Sequence, residues 1–480
     1  MKKPLKMALS ALVLTTSSQL YADNLLDVYR LAKDGDPTFL ASEAGTRATS
    51  ERVNQSMATL LPQLNASVGY GISSRKDNSV TTGVFNPTFP TTENPNLDPE
   101  EFANPSNSKS DSTRTDYSIR LTQEIYNHAS WLNLRQSEKR SLQAKVNHES
   151  SKQDLIIRVA DAYFNVLAAK DSVEFSSAET QAVSQELAQT KQRFEVGLIA
   201  ITDVHEAQSR YDRAVANQIT AENNLDNTHE LLQLITGRYH YDLLALKTEI
   251  PLRNPQPEDI KQWVKKAETN NINIKASKIA LDIAKQSISI SQAGHLPTLD
   301  LTASYSDNDT VTEVPSQPVF DNAKNPIGLS TNIEQTGSSP SSSISIDLKI
   351  PLYSGGRTNS QVKEAQILYQ QAAHNLESSR RLAVSTTRST YLGVVANVGS
   401  VKAFKQAVIS SQKSLEATQA GFEVGTRTIV DVLLQTQLLF DAKRQYSRSR
   451  YDYVLNTLKL KQATGLLNEE DLAKVNQFLR

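Results

Sequence analysis

Seven histidines (His128, His148, His205, His229, His240, His295 and His374) are the first residues to weigh for chemistry, and they are scattered along the chain. No His-Glu-x-x-His spacing occurs, so no pair of ring nitrogens is set on one helix face for zinc. His205-Glu206 reads as a solvated helix pair. The chain has no cysteine, which excludes disulfides, thiolate metal ligands and cysteine nucleophiles together. Gly69-Tyr-Gly71 lacks the third glycine of a dinucleotide loop. Gly355-Gly356 lacks the Lys-Ser/Thr that would hold a phosphate, and reads as a strand-to-helix bend. Three methionines give no support to a soft-metal site. No catalytic constellation, cofactor or metal site follows. What remains distinctive is a pair of aspartates in one repeated setting. Arg193-Phe-Glu-Val-Gly-Leu-Ile-Ala-Ile-Thr-Asp-Val204 returns, offset by 228 residues, as Gly421-Phe-Glu-Val-Gly-Thr-Arg-Thr-Ile-Val-Asp-Val432. Glycine can close a helix in the left-handed conformation, and Thr202 or Asp203 then stands near the start of the next helix. Each motif is expected at the tip of a helical hairpin.

The elements that hold these tips are also repeated. Leu61-Pro-Gln-Leu64 returns as Leu296-Pro-Thr-Leu299, Ile125-Tyr126 as Leu352-Tyr353, and Thr236-Gly237 as Thr464-Gly465, at offsets between 227 and 235. Two copies of one unit therefore fill the chain. The expected organisation is a leader over 1–22, a first repeat over 23–237, a linker over 238–255, a second repeat over 256–465 and a C-terminal segment over 466–480.

Each copy opens with a helix, over 24–59 and 256–293. Asp36-Pro37 should break the first, and Pro62 and Pro297 end both, because the residue before proline is pushed out of helix. The period then becomes two. Leu64, Ala66, Val68 and Tyr70 alternate with Asn65, Ser67 and Gly69. Leu299, Leu301, Ala303 and Tyr305 do the same in copy two. Return strands read Tyr117, Ile119, Leu121 and Ile344, Ile346, Leu348. These runs span about 10–14 residues with one apolar face, near the length of membrane-barrel strands. Between the strands, 75–112 and 307–340 are polar, aperiodic and expected as long loops. Strand pattern alone fits a soluble hairpin equally well.

Over 100 helical residues follow in each copy. Leu155, Val159, Ala162, Val166, Ala169 and Val173 are spaced 4, 3, 4, 3, 4, which is a heptad seam. Val204, Ala207, Tyr211, Ala214, Ala221 and Leu225 continue the rhythm beyond the first tip. A helix from Ala129 to Phe194 would be about 100 Å long.

Composition agrees with long helices and narrow seams rather than a thick core. Hydrophobic residues are 38% and aromatics 6%, and mean hydropathy is −0.43. A net charge of −1 implies no nucleic-acid partner. Lys2, Lys3 and Lys6 before the apolar run Met7–Leu14 read as a secretory signal peptide, cut after Ala22. That run is too short to span a bilayer as a helix, which needs about 20 apolar residues. If the chain enters a membrane it does so as strands. Four strands cannot close a barrel and open edges cannot face lipid, so an oligomer would be required.

With the duplicated Phe-x-Val-Gly-x-x-x-x-x-Asp-Val motif, the Leu-Pro boundaries and the signal peptide together, the chain resembles the TolC family of outer-membrane export channels over essentially its whole mature length. The segments Gly197–Val204, Asn223–Asn227, Gly294–Ser304 and Val424–Leu433 carry the likeness. The resemblance implies an α+β membrane protein of a Gram-negative outer membrane. It would be a homotrimer, with one twelve-stranded β-barrel in lipid continuous with a periplasmic α-helical coiled-coil barrel. Its implied partners are a periplasmic adaptor and an inner-membrane efflux or secretion transporter. The implied function is an exit duct of a tripartite pump, with no reaction and no cofactor. The alternative is a secreted or surface helical scaffold or adhesin without a pore.

The resemblance also assigns roles at the tips. Asp431 would line the pore constriction and face its symmetry mates, and carboxylates held together should raise one another's pKa and attract cations. Thr202, Asp203 and Arg427 would form a latch between hairpins, by directional charge-assisted bonds. Val196, Gly197 and Leu198, with Val424, Gly425 and Thr426, would receive the adaptor. This chain departs from the family pattern twice. Leu434 replaces a second aspartate of the constriction, giving an apolar ring that hinders ions by dewetting. Phe422 replaces a latch tyrosine, whose lost bond is worth about 1 kcal/mol per chain.

Overall fold

The computed structural model describes residues 22–85, 100–315, 318–320, 326–329 and 331–480. The chain divides into two compact units. One holds residues through Ser50, Lys139–Ala284 and Leu368–Arg480; the other holds Glu51–Glu138 and Lys285–Ile367. Among the described residues no helix is long and apolar enough to cross a membrane.

The second unit is built on a sheet. Strand β1 (Gln63–Phe85) pairs antiparallel with β2 (Glu100–Tyr126), and β2 pairs with β3 (Thr298–Val314). Two short strands, β4 (Pro318–Phe320) and β5 (Pro326–Leu329), pair only with each other. The outer part of β3 pairs with β6 (Ile333–Ser338), and its base pairs with β7 (Ser341–Lys349). Register sets Leu64 opposite Leu121, Leu121 opposite Ala303, and Ala303 opposite Ile344. Side chains alternate across a strand, so one face gathers the apolar residues of all four strands. The other face carries serine pairs: Ser67 bonds Ser118 at 2.7 Å and Ser304 bonds Ser343 at 2.9 Å.

The strands run well past their alternating cores. Residues 75–85 and 100–112, expected as loop, are paired in β1 and β2, with Arg75 opposite Ser110 and Phe85 opposite Glu100. Residues 307–314 and 333–338, also expected as loop, pair in β3 and β6. Ladder bonds come from the backbone, which Ser, Thr, Asp and Lys can supply while extended. Side-chain periodicity reports only where one face turns apolar. The remainder of the first expected loop, 86–99, lies outside the described residues, as do 316–317, 321–325 and 330 of the second. Gly355 and Gly356 have φ of +64° and +82° immediately before the next helix, the bend read from the sequence.

The helices are α1 (Leu25–Gly35), α2 (Pro37–Ala58), α3 (His128–Glu195), α4 (Ile201–Thr236), α5 (Ile260–Asn270), α6 (Ile272–Ala293), α7 (Arg357–Glu423), α8 (Ile429–Ala463) and α9 (Glu469–Asn476). Asp36-Pro37 breaks α1 from α2 as expected. Asp36 caps both helices, giving its N–H to Ala32 and accepting from the N–H groups of Thr38 and Phe39. In the first unit the heptad seam of α3 is buried at Leu155, Val159, Ala162, Val166 and Ala169. It packs with Leu25, Val28 and Tyr29 of α1, Tyr451, Leu455 and Leu458 of α8, and Leu472 of α9. The linker 238–255 is part of this core. Leu243 and Leu246 are buried in it, Asp23 bridges to Leu243, and Leu246 bridges to Leu479.

Candidate functional site

The two hairpin tips lie in the first unit and share one turn chemistry at the helix ends. After α3, Gly197 takes φ +76°, its N–H reaches Phe194 O at 2.9 Å, and the Leu198 N–H reaches Arg193 O at 2.9 Å. After α7, Gly425 takes φ +79°, and the Thr426 N–H reaches Gly421 O at 2.8 Å. Only glycine enters this left-handed region without strain, so both turns need it.

The starts of the next helices differ. Thr428 caps α8, its hydroxyl accepting from the Asp431 N–H at 3.3 Å. Asp431 returns the bond, accepting from the Thr428 N–H at 3.0 Å and its hydroxyl at 2.9 Å. This is a capping box. The equivalent of Thr428 in the first tip is Ala200, which makes no side-chain cap. Thr202 and Asp203 stand inside the first turn of α4 and do not cap it. Among the described residues the Asp203 side chain makes no hydrogen bond or ion pair within the chain, although it is the counterpart of Asp431.

The carboxyl of Asp431 is held below the ordinary aspartate range, first by the Thr428 N–H and hydroxyl and then by the nearby Arg427 charge. Within one chain the shift is thus opposite to that expected of three clustered carboxylates. Arg427 is exposed and folds over its own turn, where a Cβ added to Gly421 would lie 2.8 Å from its Cγ. Among the described residues, Thr202, Asp203 and Arg427 make no bond to the opposite hairpin within the chain.

Phe422 does join the hairpins. It is buried in a cluster with Val183, Leu187 and Ala207 of one hairpin and Leu415, Ile429, Val432, Leu433 and Leu439 of the other. The Arg193 guanidinium lies 4.4 Å from its ring centre, and Arg193 Nη1 donates to Phe422 O at 3.5 Å. Further links run from Gln419 to Glu186 at 3.3 Å, Arg210 to Gln437 at 3.3 Å, and Arg444 to Glu179 at 2.9 Å. Sequence reasoning missed these residues. Glu179, Glu186 and Arg193 are spaced by sevens, a polar stripe beside the apolar seam that heptad counting could have exposed.

The residues expected to receive an adaptor include an apolar, solvent-facing surface at each tip: Val196, Leu198 and Val424 are 70%, 72% and 76% exposed. Along α8, Val430, Leu434 and Leu438 stand exposed at four-residue spacing, opposite the buried Ile429, Val432 and Leu433. Asp431 and Leu434, three residues apart, share this side of the helix.

The profile of the outer membrane efflux protein family matches residues 28–238 and 263–466. The chain is 39% identical to "Outer membrane protein TolC" of Vibrio cholerae, over 100% of this chain and 99% of that one. It is 25% identical to "Proteases secretion protein PrtF" of Dickeya chrysanthemi, over 98% of this chain and 94% of that one. Its fold is similar to the crystal structure of the outer membrane protein VceC from Vibrio cholerae, with a TM-score of 0.66, 15% identity, and coverage of 92% and 96% of the two chains. With both repeats matched and one such relative aligned from end to end, the chain belongs to the outer membrane efflux protein family.

Proposed function

We propose that the chain is the subunit of an outer-membrane exit duct for efflux and secretion, working with an inner-membrane transporter and a periplasmic adaptor. Family membership supports the duct, and nothing among the relatives favours a poreless scaffold.

The observation that carries the reading is the sheet. Its apolar face leaves Leu64, Val68, Ile72, Ile344 and Ile346 exposed, and its outermost strands each pair on one side only. A soluble monomer would have to tolerate a large apolar patch and two unpaired edges. Burying that face in lipid and closing the edges against further copies satisfies both demands. Three copies would give twelve strands, within the range of membrane barrels.

In this assembly Asp431 and Leu434 form the constriction. Asp203 and Thr202 meet Arg427 of a neighbouring copy, which accounts for their freedom within one chain. Val196, Gly197, Leu198, Val424, Gly425 and Thr426 receive the adaptor, whose docking parts the tips.

The reading is tested by purifying the full protein in detergent, comparing its electrophoretic mobility in SDS before and after heating, and inserting it into planar bilayers. A heat-dissociated trimer with discrete conductance steps is expected. A water-soluble monomer that never conducts would overturn it.

A further inference from the structure

The bonds between the two hairpins change character along α3. Toward the tips they are long: Arg193 to Phe422 O is 3.5 Å, and Gln419 to Glu186 and Arg210 to Gln437 are each 3.3 Å. None of the three joins opposite charges. From Glu179 inward the hydrogen bonds shorten, beside a looser Lys459–Asp161 ion pair at 3.9 Å. Arg444 Nη1 to Glu179 Oε2 is 2.9 Å, Tyr451 Oη to Asp171 is 2.8 Å, Arg448 to Asn165 is 2.8 Å, and Gln462 to Asp154 is 2.7 Å. Ser447 also donates to Asp171.

The change falls at Arg444. Its guanidinium ties Glu179 on α3 to Asp441 on its own helix. Glu179 is buried, and burial pushes its carboxyl up against the opposing pull of the Arg444 bond. A buried carboxylate that loses its guanidinium is stranded, whereas the tip bonds can exchange for water at small cost.

We propose that Arg444 is a positioning residue that sets how far the hairpins part: the segments 180–210 and 415–443 separate, and the Glu179–Arg444–Asp441 node is where separation stops. This rests on the reading of the tips as a gate. The separable part of α3, from Glu179 to its end, is about 24 Å long at 1.5 Å per residue.

Hydrogen exchange on the full detergent-solubilised protein tests it. In the wild type, amides of the tip segments should exchange faster than those of 153–178, with the boundary at Glu179. Arg444→Met should move that boundary past Asp171 on α3 and past Tyr451 on α8. Leu25–Ala32 and Leu155–Leu167 should keep their wild-type rates. Arg444→Lys, which keeps the charge, should restore the boundary in part. An unmoved boundary in Arg444→Met overturns the proposal. So does uniform acceleration along the helices, because that reports general loosening. The exchange boundary is read without reference to conductance. A wild-type protein that never conducts therefore counts against the exit duct and not against the node.

Discussion

Arg193 and Phe422 meet across the seam between the hairpins, guanidinium over ring at 4.4 Å, with the same guanidinium reaching the Phe422 carbonyl. The ring is buried on one side by the apolar cluster and covered on the other by the cation. Arg193→Ala should therefore loosen the tips, seen as larger or longer-lived conductance steps in planar bilayers. A double-mutant cycle with Phe422→Ala, read from unfolding in detergent, should return a coupling of about 1 kcal/mol. Additive single effects would show that the stacking carries no energy.

Thr428→Ala removes the bond that the hydroxyl accepts from the Asp431 N–H and the one that it donates to the Asp431 carboxylate, while the bond from the residue-428 N–H stays. The first turn of α8 should fray, with faster amide exchange at Ile429–Asp431. The Asp431 pKa should rise only part of the way toward its ordinary value, because the backbone N–H that lowers it most remains, and NMR titration of its side-chain carbonyl would read this. Because the folded pKa is depressed, the stabilisation from this carboxylate is present above the unfolded value and is lost as pH falls through the folded one. An unchanged titration in Thr428→Ala would show that the hydroxyl contributes nothing to the depression and leave it to the residue-428 N–H and Arg427.

Asp36 offers the same sign at a buried site. Burial raises its pKa, and bonds from Arg158, Thr38 and Phe39 more than offset this, so the net shift is downward. Its contribution should persist above pH of about 4 and vanish progressively below it. Asp36→Ala should cost about 2 kcal/mol, since it removes the side-chain cap of α2 and leaves the partly exposed Arg158 guanidinium without its 2.6 Å partner, while the α1 bond from the residue-36 N–H stays. Thermal unfolding in detergent, followed by circular dichroism between pH 3 and pH 7, measures both. A variant that melts with the wild type at neutral pH would refute the role.

The proposed constriction can be tested at Asp431 and at Leu434. Asp431→Ala should weaken block by multivalent cations added on the periplasmic side. Leu434→Asp should strengthen it, because a second carboxylate ring adds field where the apolar ring has none. Equal block in wild type and both variants would remove this stripe of α8 from the pore.

Much of the fold was legible because it depends on local rules. Pro37, Pro62 and Pro297 end helices by steric restriction, and Gly197, Gly425 and the Gly355-Gly356 pair mark turns by positive φ. Alternation from Leu64 to Tyr70 marked the apolar face, and the heptads from Leu155 marked the seam. Strand length was not legible, since Arg75–Phe85 has no apolar face to announce its pairing. The links at Arg193, Glu186, Glu179 and Arg444 were hidden for another reason. They depend on which stripe of α7 and α8 turns toward α3, and no single helix encodes that. Of the tip residues named from family likeness, Gly197 and Gly425 stand where the turns require glycine. Among the described residues, Phe422 alone of the proposed latch residues engages the other hairpin within the chain.

The contrast between Ala200 and Thr428 has a consequence for how a duplicated chain diverges. One methyl in place of a hydroxyl leaves Asp203 uncommitted, while its twin Asp431 is tied to its own backbone. Gene doubling thereby produced two descendants of one carboxylate with different freedoms, one conscripted to local order and the other available to a stranger. Exchanging the residues at these two sites would transpose that inheritance, leaving the composition of the polypeptide untouched.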